Sequence, residues 1–303
     1  MRNEKTNMKT RLEDALQHCP PQLAAALRPY VMADTFKASF SAEEVSVLKQ
    51  ASGLSTTDLS LALLPLAASY AITPLSHFNV GAIAQGISGR WYLGANMEFA
   101  SAPIQQTIHA EQSAINHAWM CNEPQLTAVT VNYTPCGHCR QFMNELNSAQ
   151  QLTIYLPGRA PQTLHDYLPN AFGPKDLGIT DTLFDPQTQA FAAQSDPLIQ
   201  AAIDAASQSY APYTHAYSGI ALQIADNHWV TGRYAENAAF NPSLPPLQSA
   251  LIMMQLQGYS VSAITRAVLV EVSDAALSQQ SASAAILRAL GGYSLETVTV
   301  APK

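Results

Sequence analysis

The chain has 303 residues, of which 48% are apolar and only 12% charged, with a formal net charge of −7. That length and apolar content suit more than one domain and a buried subunit interface. The acidic balance, without any run of Lys or Arg, argues against a nucleic-acid partner, which needs a basic patch. Residues 1–11 are polar and do not read as a secretory signal. The most apolar stretch, 59–72, is too short to span a membrane and contains Pro65. The cytoplasm is therefore the expected compartment. There the four cysteines, Cys19, Cys121, Cys136 and Cys139, read as metal or redox chemistry rather than a disulfide framework.

Residues 1–50 read as a helical segment. Leu12, Leu16, Leu23 and Leu27 follow partly helical spacing, broken at Pro20 and Pro21. Ser41 and Glu44 have the spacing of a capping box. This segment is expected to pack rather than to carry chemistry. A first α/β unit is expected over 51–172. It opens with a helix over 57–71, followed by short strands over 78–84 and 90–93 around a glycine turn at 86–89. A helix over 108–120 carries His109, Ala110 and Glu111. Residues 126–133, apolar and β-branched, suit a buried strand. Pro135 starts another helix, carrying Cys136, Gly137, His138 and Cys139, and 151–156 is a further strand. Strands alternating with helices argue for a layered α/β domain.

Residues 173–190 read as a linker, after which the pattern restarts over 191–303. At an offset of 138, Ser76 and His77 align with Thr214 and His215, Gly81 with Gly219, and Trp91 with Trp229. Gly94 likewise aligns with Gly232, Glu98 with Glu236, and Ala100 with Ala238. Near His109 the register slips by two, so that Gln112, Ser113 and Ala114 match Gln248, Ser249 and Ala250. His109 then faces Pro245, and Glu111 faces Leu247. The second half has no cysteine, and Asp274 to Leu277 stands where a C-x-x-C would be, after a strand over 267–272. It reads as a duplicate that has lost its metal site and serves packing and shaping.

His109, Cys136 and Cys139 are three zinc-type ligands. Three protein ligands leave one tetrahedral position open, which separates catalytic zinc sites from closed structural ones. Zinc takes thiolate and neutral imidazole. Cysteines at i and i+3 put both sulfurs on one side of a helix's first turn, where the helix dipole favours thiolates. Glu111 need not ligate, and as a nearby carboxylate it can carry a proton. Two other readings stand beside this one. A fourth ligand from His138, His117 or Cys121 would close the site into a structural one. A redox pair would leave His109 and Glu111 unexplained. Asn96 and Glu98, two apart on an extended segment, point the same way and suit a sugar hydroxyl, or else form a solvated loop after Gly94. Phe78 reads equally as a core strand residue.

The segments 107–115 and 134–141, with Asn96, Met97 and Glu98, resemble the cytidine and deoxycytidylate deaminase superfamily. More narrowly, the chain is similar over nearly its whole length to the long, two-domain, homodimeric bacterial cytidine deaminases. H-x-E with P-C-x-x-C is the signature of the zinc nucleobase deaminases. The resemblance implies a three-layer α/β/α cytidine-deaminase-like fold present twice, the catalytic copy at 51–172 and the degenerate copy at 191–303. It implies one Zn2+ per chain on His109, Cys136 and Cys139, with Glu111 as proton shuttle. Asn96 and Glu98, flanking Met97, would bind ribose, and Phe78 and the Ala110 backbone would meet the pyrimidine. Phe172, Ala239 and Phe240 would close the pocket across a homodimer interface. The implied reaction is hydrolytic deamination of cytidine and deoxycytidine, with release of ammonia, in pyrimidine salvage. A deaminase acting on cytosine or adenine within a polynucleotide shares the chemistry, and a non-catalytic zinc scaffold is a further reading. The acidic balance and the sugar-gripping pair favour the small-molecule nucleoside.

Overall fold

The computed structural model describes residues 2–224 and 228–302. The lead-in forms α1 (Arg2–Leu16), α2 (Pro21–Val31) and α3 (Ala42–Ser52). Pro21 begins α2 in the first turn, where its missing N–H is not needed. At the start of α3 the Ser41 hydroxyl accepts from the Glu44 N–H, and the Glu44 carboxylate accepts from the Ser41 N–H. That is the expected capping box. The helical reading of 1–50 needs one correction, because Ser39–Phe40 forms β1 and adds an edge strand to the first sheet.

α4 (Thr56–Ala62) and α5 (Leu64–Ala68) replace the single helix expected over 57–71. Pro65 divides them, since its ring cannot continue a helix but fits the first turn of a new one. β2 (Gly81–Gly86) and β3 (Trp91–Ala95) follow. β2 starts later than expected and leaves Phe78 in the loop before it. The first half continues with α6 (Ala110–Met120), β4 (Leu126–Val131), α7 (Gly137–Met143), β5 (Thr153–Tyr155), β6 (Gln162–Thr163) and α8 (Leu164–Tyr167). The second half has α9 (Pro197–Ser207), β7 (Ser218–Ile224), β8 (His228–Arg233), α10 (Pro246–Leu256), β9 (Ile264–Val272), α11 (Gln280–Gly291) and β10 (Glu296–Val300).

The first sheet has the order β1-β3-β2-β4-β5-β6, and the second, read from one end, β8-β7-β9-β10. The shared part matches pair by pair. β2 lies antiparallel to β3 and β4, with β5 parallel to β4; β7 lies antiparallel to β8 and β9, with β10 parallel to β9. Even the bulge recurs, between Gln85 and Gly86 on β2 and between Gln223 and Ile224 on β7.

Close approach explains the repeated glycines. Gly81 pairs with Ala95 and Ala82 with Gly94, so Gly81 and Gly94 face opposite sides of the sheet. A Cβ on Gly94 would lie 2.1 Å from the Ala114 nitrogen of α6, and one on Gly81 2.4 Å from the Ala68 nitrogen of α5. The two helices therefore pack on opposite faces and make three layers. In the second half, Gly219 would meet Ala206 of α9 at 2.3 Å and Gly232 would meet Ala250 of α10 at 2.3 Å.

α6 and α10 lie against each other at the junction of the halves. There the Ser249 hydroxyl donates to Asn116 Oδ1 at 2.7 Å, and Asn116 Nδ2 donates to the Ser249 carbonyl at 3.3 Å. One apolar core runs through both halves, from Leu12 to Leu287. Segment 173–190 is packed rather than a free tether, with Leu183 and Phe184 buried. Among the described residues no helix is long and apolar enough to cross a membrane.

Candidate metal centre and active site

Two helix starts bring the metal-type ligands together. His109 is the N-cap of α6, with extended backbone (φ −87°, ψ 154°), and Cys136 is the N-cap of α7 (φ −69°, ψ 168°). Cys139 lies in the first turn of α7. The Cys136 and Cys139 sulfurs are 3.7 Å apart, and His109 Nδ1 lies 3.5 Å and 3.3 Å from them. Zinc bonds of about 2.3 Å to sulfur and about 2.0–2.1 Å to nitrogen give tetrahedral ligand edges of about 3.5–3.8 Å. The three atoms thus span three corners of a zinc tetrahedron, and among the described residues this trio is the one group of its kind.

Of the alternative fourth ligands, His117 and Cys121 lie elsewhere, and His138, whose buried Nε2 has no hydrogen-bond partner among the described residues, falls outside the cluster of ligand atoms. His117 is eight residues along α6, about 12 Å at the helical rise, and its Nδ1 meets the Leu93 carbonyl at 2.9 Å. Cys121 ends the same helix, about 18 Å along. The His138 ring stacks on that of His109, with centroids 4.9 Å apart.

Electrostatics fit a dication. Hydrogen bonds from Cys139 and His109 pull the Cys136 thiol down to about 3. Cys139 is pushed well above the ordinary thiol range by Cys136, by burial and by Glu111. Alone, the two sulfurs share one negative charge, and a cation between them stabilises both thiolates. The bond to Cys136 raises His109. Glu111 is 5% exposed, and burial raises its carboxyl although Cys139 and His109 oppose the shift.

Neighbouring side chains hold this geometry. Arg140 Nε donates to the Pro135 carbonyl at 2.7 Å and Nη1 to the Tyr167 carbonyl at 2.8 Å, locking the turn that presents both cysteines. Gln112 accepts the His109 N–H at 3.3 Å and donates to the Pro242 carbonyl of the second half at 3.1 Å. Sequence reasoning gave neither residue a role, because their partners include main-chain carbonyls distant in the chain. Their place within the two motifs was the available signal.

Asn96 and Glu98 do not form a solvated loop. Asn96 Oδ1 accepts from the Val80 N–H at 2.9 Å, and its Nδ2 donates to the Phe78 carbonyl at 2.9 Å. Glu98 accepts from the Leu75 and Ser76 N–H groups at 2.9 and 3.0 Å and from the Ser76 hydroxyl. Partial burial pushes its carboxyl up, but the Ser76 and Leu75 donors outweigh this and hold it below the usual range. Together the pair shapes the loop that presents Phe78. That ring is half-exposed rather than in the core, and it lies 4.7 Å from the Tyr133 ring. Met97 is buried, and its N–H and carbonyl both bond Ile108, so it offers no free polar group. Ala110 is buried in the first turn of α6. Phe172 and Phe240 are also half-exposed. The Ala239 N–H donates to Asn237 Oδ1 at 3.0 Å. A cavity of about 410 Å³ between the halves is lined by His109 and His138 on one side and by Tyr234, Phe240, Ser243 and Gln279 on the other.

The second half keeps the frame and lacks the ligands. Pro245 caps α10 with the backbone of His109 (φ −64°, ψ 154°), and Leu247 is buried where Glu111 stands. Glu236 accepts from the Tyr213 and Thr214 N–H groups at 2.8 and 3.1 Å and from the Thr214 hydroxyl at 2.5 Å, repeating the bonds of Glu98.

Residues 55–155 match a protein family described as the cytidine and deoxycytidylate deaminase zinc-binding region, and residues 164–284 match a second family of the same description. The chain is 58% identical over 291 residues to a cytidine deaminase of Salmonella arizonae, covering 96% of this chain and 99% of that protein. It is 57% identical to a cytidine deaminase of Salmonella choleraesuis, with the same coverage. Among solved structures, cytidine deaminase from Mycobacterium tuberculosis is 32% identical with a TM-score of 0.36, covering 40% of this chain and 99% of that one.

Proposed function

The chain belongs to the cytidine deaminase family, and on that premise we propose how its residues share the zinc-dependent hydrolysis of cytidine to uridine and ammonia. The observation that carries the reading is the trio His109, Cys136 and Cys139 at zinc-ligand spacing, with the buried Glu111 carboxyl beside it. The trio holds the metal. When bound, zinc supplies a Lewis acid that makes water nucleophilic near neutral pH.

Glu111 carries the protons. It takes one from the water as the oxygen bonds to C4 of the pyrimidine, and it delivers that proton to N3. The second proton passes by the same carboxyl to the exocyclic amine as the C4–N bond breaks, and ammonia leaves. A carboxyl raised by burial suits this alternation of base and acid. Asn96 and Glu98 hold ribose hydroxyls at the loop they shape, and deoxycytidine is a second substrate. Phe78 with Tyr133 forms an aromatic wall for the base. Ala110 meets the base at the start of α6, and Met97 sets the spacing of the sugar pair.

Phe172, Ala239 and Phe240 complete the pocket. Phe78, Tyr133, Phe172 and Phe240 are each about half-exposed, and a second copy of the chain covers them in a homodimer. Residues 51–172 form the catalytic domain, 173–190 the connection and 191–303 the degenerate domain. The enzyme acts in the cytoplasm on free nucleosides, with no nucleic-acid or membrane partner. Turnover followed by ultraviolet absorbance tests the substrate class. Cytidine and deoxycytidine are expected to be converted, and a cytosine-containing oligonucleotide is not. Conversion of the oligonucleotide alone contradicts this reading.

A further inference from the structure

A buried carboxylate with no part in the proton transfers ties the metal-carrying helix to the second half. Glu145 lies two residues past α7 and is fully buried. Its Oε1 accepts from the Tyr210 hydroxyl at 2.8 Å and from the Tyr213 hydroxyl, and its Oε2 accepts from the Ala238 N–H at 3.0 Å. All three donors come from the second half, and among the described residues no ion pair reaches this carboxylate. Burial pushes its carboxyl up, while the Tyr213, Ala238 and Tyr210 donors oppose the shift. A buried charge without a cation is unfavourable unless its oxygens are well supplied with donors.

One donor, Ala238, lies in loop 237–240, while Tyr210 and Tyr213 lie in the segment between α9 and β7. Asn237 Nδ2 donates to the Gln141 carbonyl of α7 at 3.0 Å, next to the Ala238 bond to Glu145. The loop ends at Phe240, in the left-handed region at φ 59°, which lines the cavity that also holds His109 and His138. The arrangement reuses a lost site. Glu236 makes the loop bonds that Glu98 makes in the first half, but Tyr213 stands at the position of Leu75. Its N–H stays on Glu236 at 2.8 Å while its hydroxyl reaches Glu145.

We propose that Glu145 is a positioning residue for the substrate pocket: it fastens loop 237–240 to the end of α7 and so sets Phe240 and the adjoining backbone against the metal centre. This rests on the deaminase reading above. A carboxylate that served only stability would leave substrate affinity unchanged when replaced by an apolar side chain of similar size.

The test is steady-state kinetics with cytidine on zinc-quantified protein. Glu145→Leu is expected to raise KM about 10-fold or more, with kcat within about threefold and zinc content unchanged. Glu145→Gln is expected to keep KM within about threefold of wild type. Its amide oxygen can face the Ala238 N–H while its NH2 donates to both tyrosine oxygens. Tyr213→Phe removes one donor and is expected to raise KM about threefold, which keeps the test available if Glu145→Leu does not fold. An unchanged KM in Tyr213→Phe and in any folded Glu145→Leu, or a fall in kcat at constant KM, overturns the role of Glu145 alone. Wild-type protein without cytidine turnover overturns the deaminase reading and this inference with it.

Discussion

α6 and α10 occupy the same place in two copies of one fold, yet only α6 begins with an imidazole and a carboxylate. His109 and Glu111 open it, whereas Pro245 and Leu247 open α10. Around that difference the frame is preserved. Ser113 and Ser249 each accept a backbone N–H from the neighbouring strand at 3.2 Å, and Gly94 and Gly232 each allow the helix to touch the sheet. The two halves separate the residues that make the fold from those that make the site. In the second half Glu236 still accepts the bonds of its loop, and the hydroxyl of Tyr213 in that loop reaches Glu145 just past α7.

The largest expected effects fall on the first half alone. Cys139→Ala is expected to lose zinc and turnover together, while Pro245→His gains no zinc because no thiol stands in the second half; metal analysis of both proteins checks this. Glu111→Ala is expected to keep its zinc and lose about 10⁴-fold in kcat. Leu247→Ala, at the matching position, is expected to keep kcat within a few-fold and to cost about 2–4 kcal/mol in denaturant unfolding. A catalytic loss in Leu247→Ala would break the division between the halves.

A pH effect sharpens the comparison. Burial lowers His117 in α6 to about 4, and its counterpart in α10, Met253, does not titrate. The unfolded chain binds a proton on His117 below about pH 6.5 and the folded chain only near pH 4, so acid favours unfolding across that window. As pH falls from about 6.5 to about 4, stability is expected to drop by up to about 3 kcal/mol. His117→Gln, which can still donate to the Leu93 carbonyl, is expected to flatten that slope in melting curves taken across the window.

The smallest effect concerns the clamp between the halves. Arg233 stands where the first half has Ala95. Its Nη2 donates to the Trp119 carbonyl at 2.7 Å, at the carbonyl end of α6, where the helix dipole favours a cation. Arg233→Met is expected to cost about 1–2 kcal/mol in denaturant unfolding while leaving kcat unchanged. A change in kcat would mean that the clamp reaches the metal centre.

The metal centre was legible because its residues sit in two short motifs at helix starts, where spacing alone brings ligand atoms to one side. The duplication was legible because close-approach positions tolerate only glycine and so recur at fixed distance. Phe78 was not legible, because an apolar residue next to a strand looks the same in a core and in a half-exposed loop. Neither was β1, since two residues carry no periodicity. Glu145 was hidden for another reason: its donors lie 65 to 93 residues away, and no local pattern announces a carboxylate whose partners are two tyrosines and an amide.

The claim that one half carries all of the chemistry is tested most directly by zinc content and cytidine turnover measured in the same sample. Metal-free protein titrated with zinc is expected to gain activity in proportion to metal and to reach its maximum at about one zinc per chain. Two zincs per chain at full activity, or full turnover with none, would contradict the account.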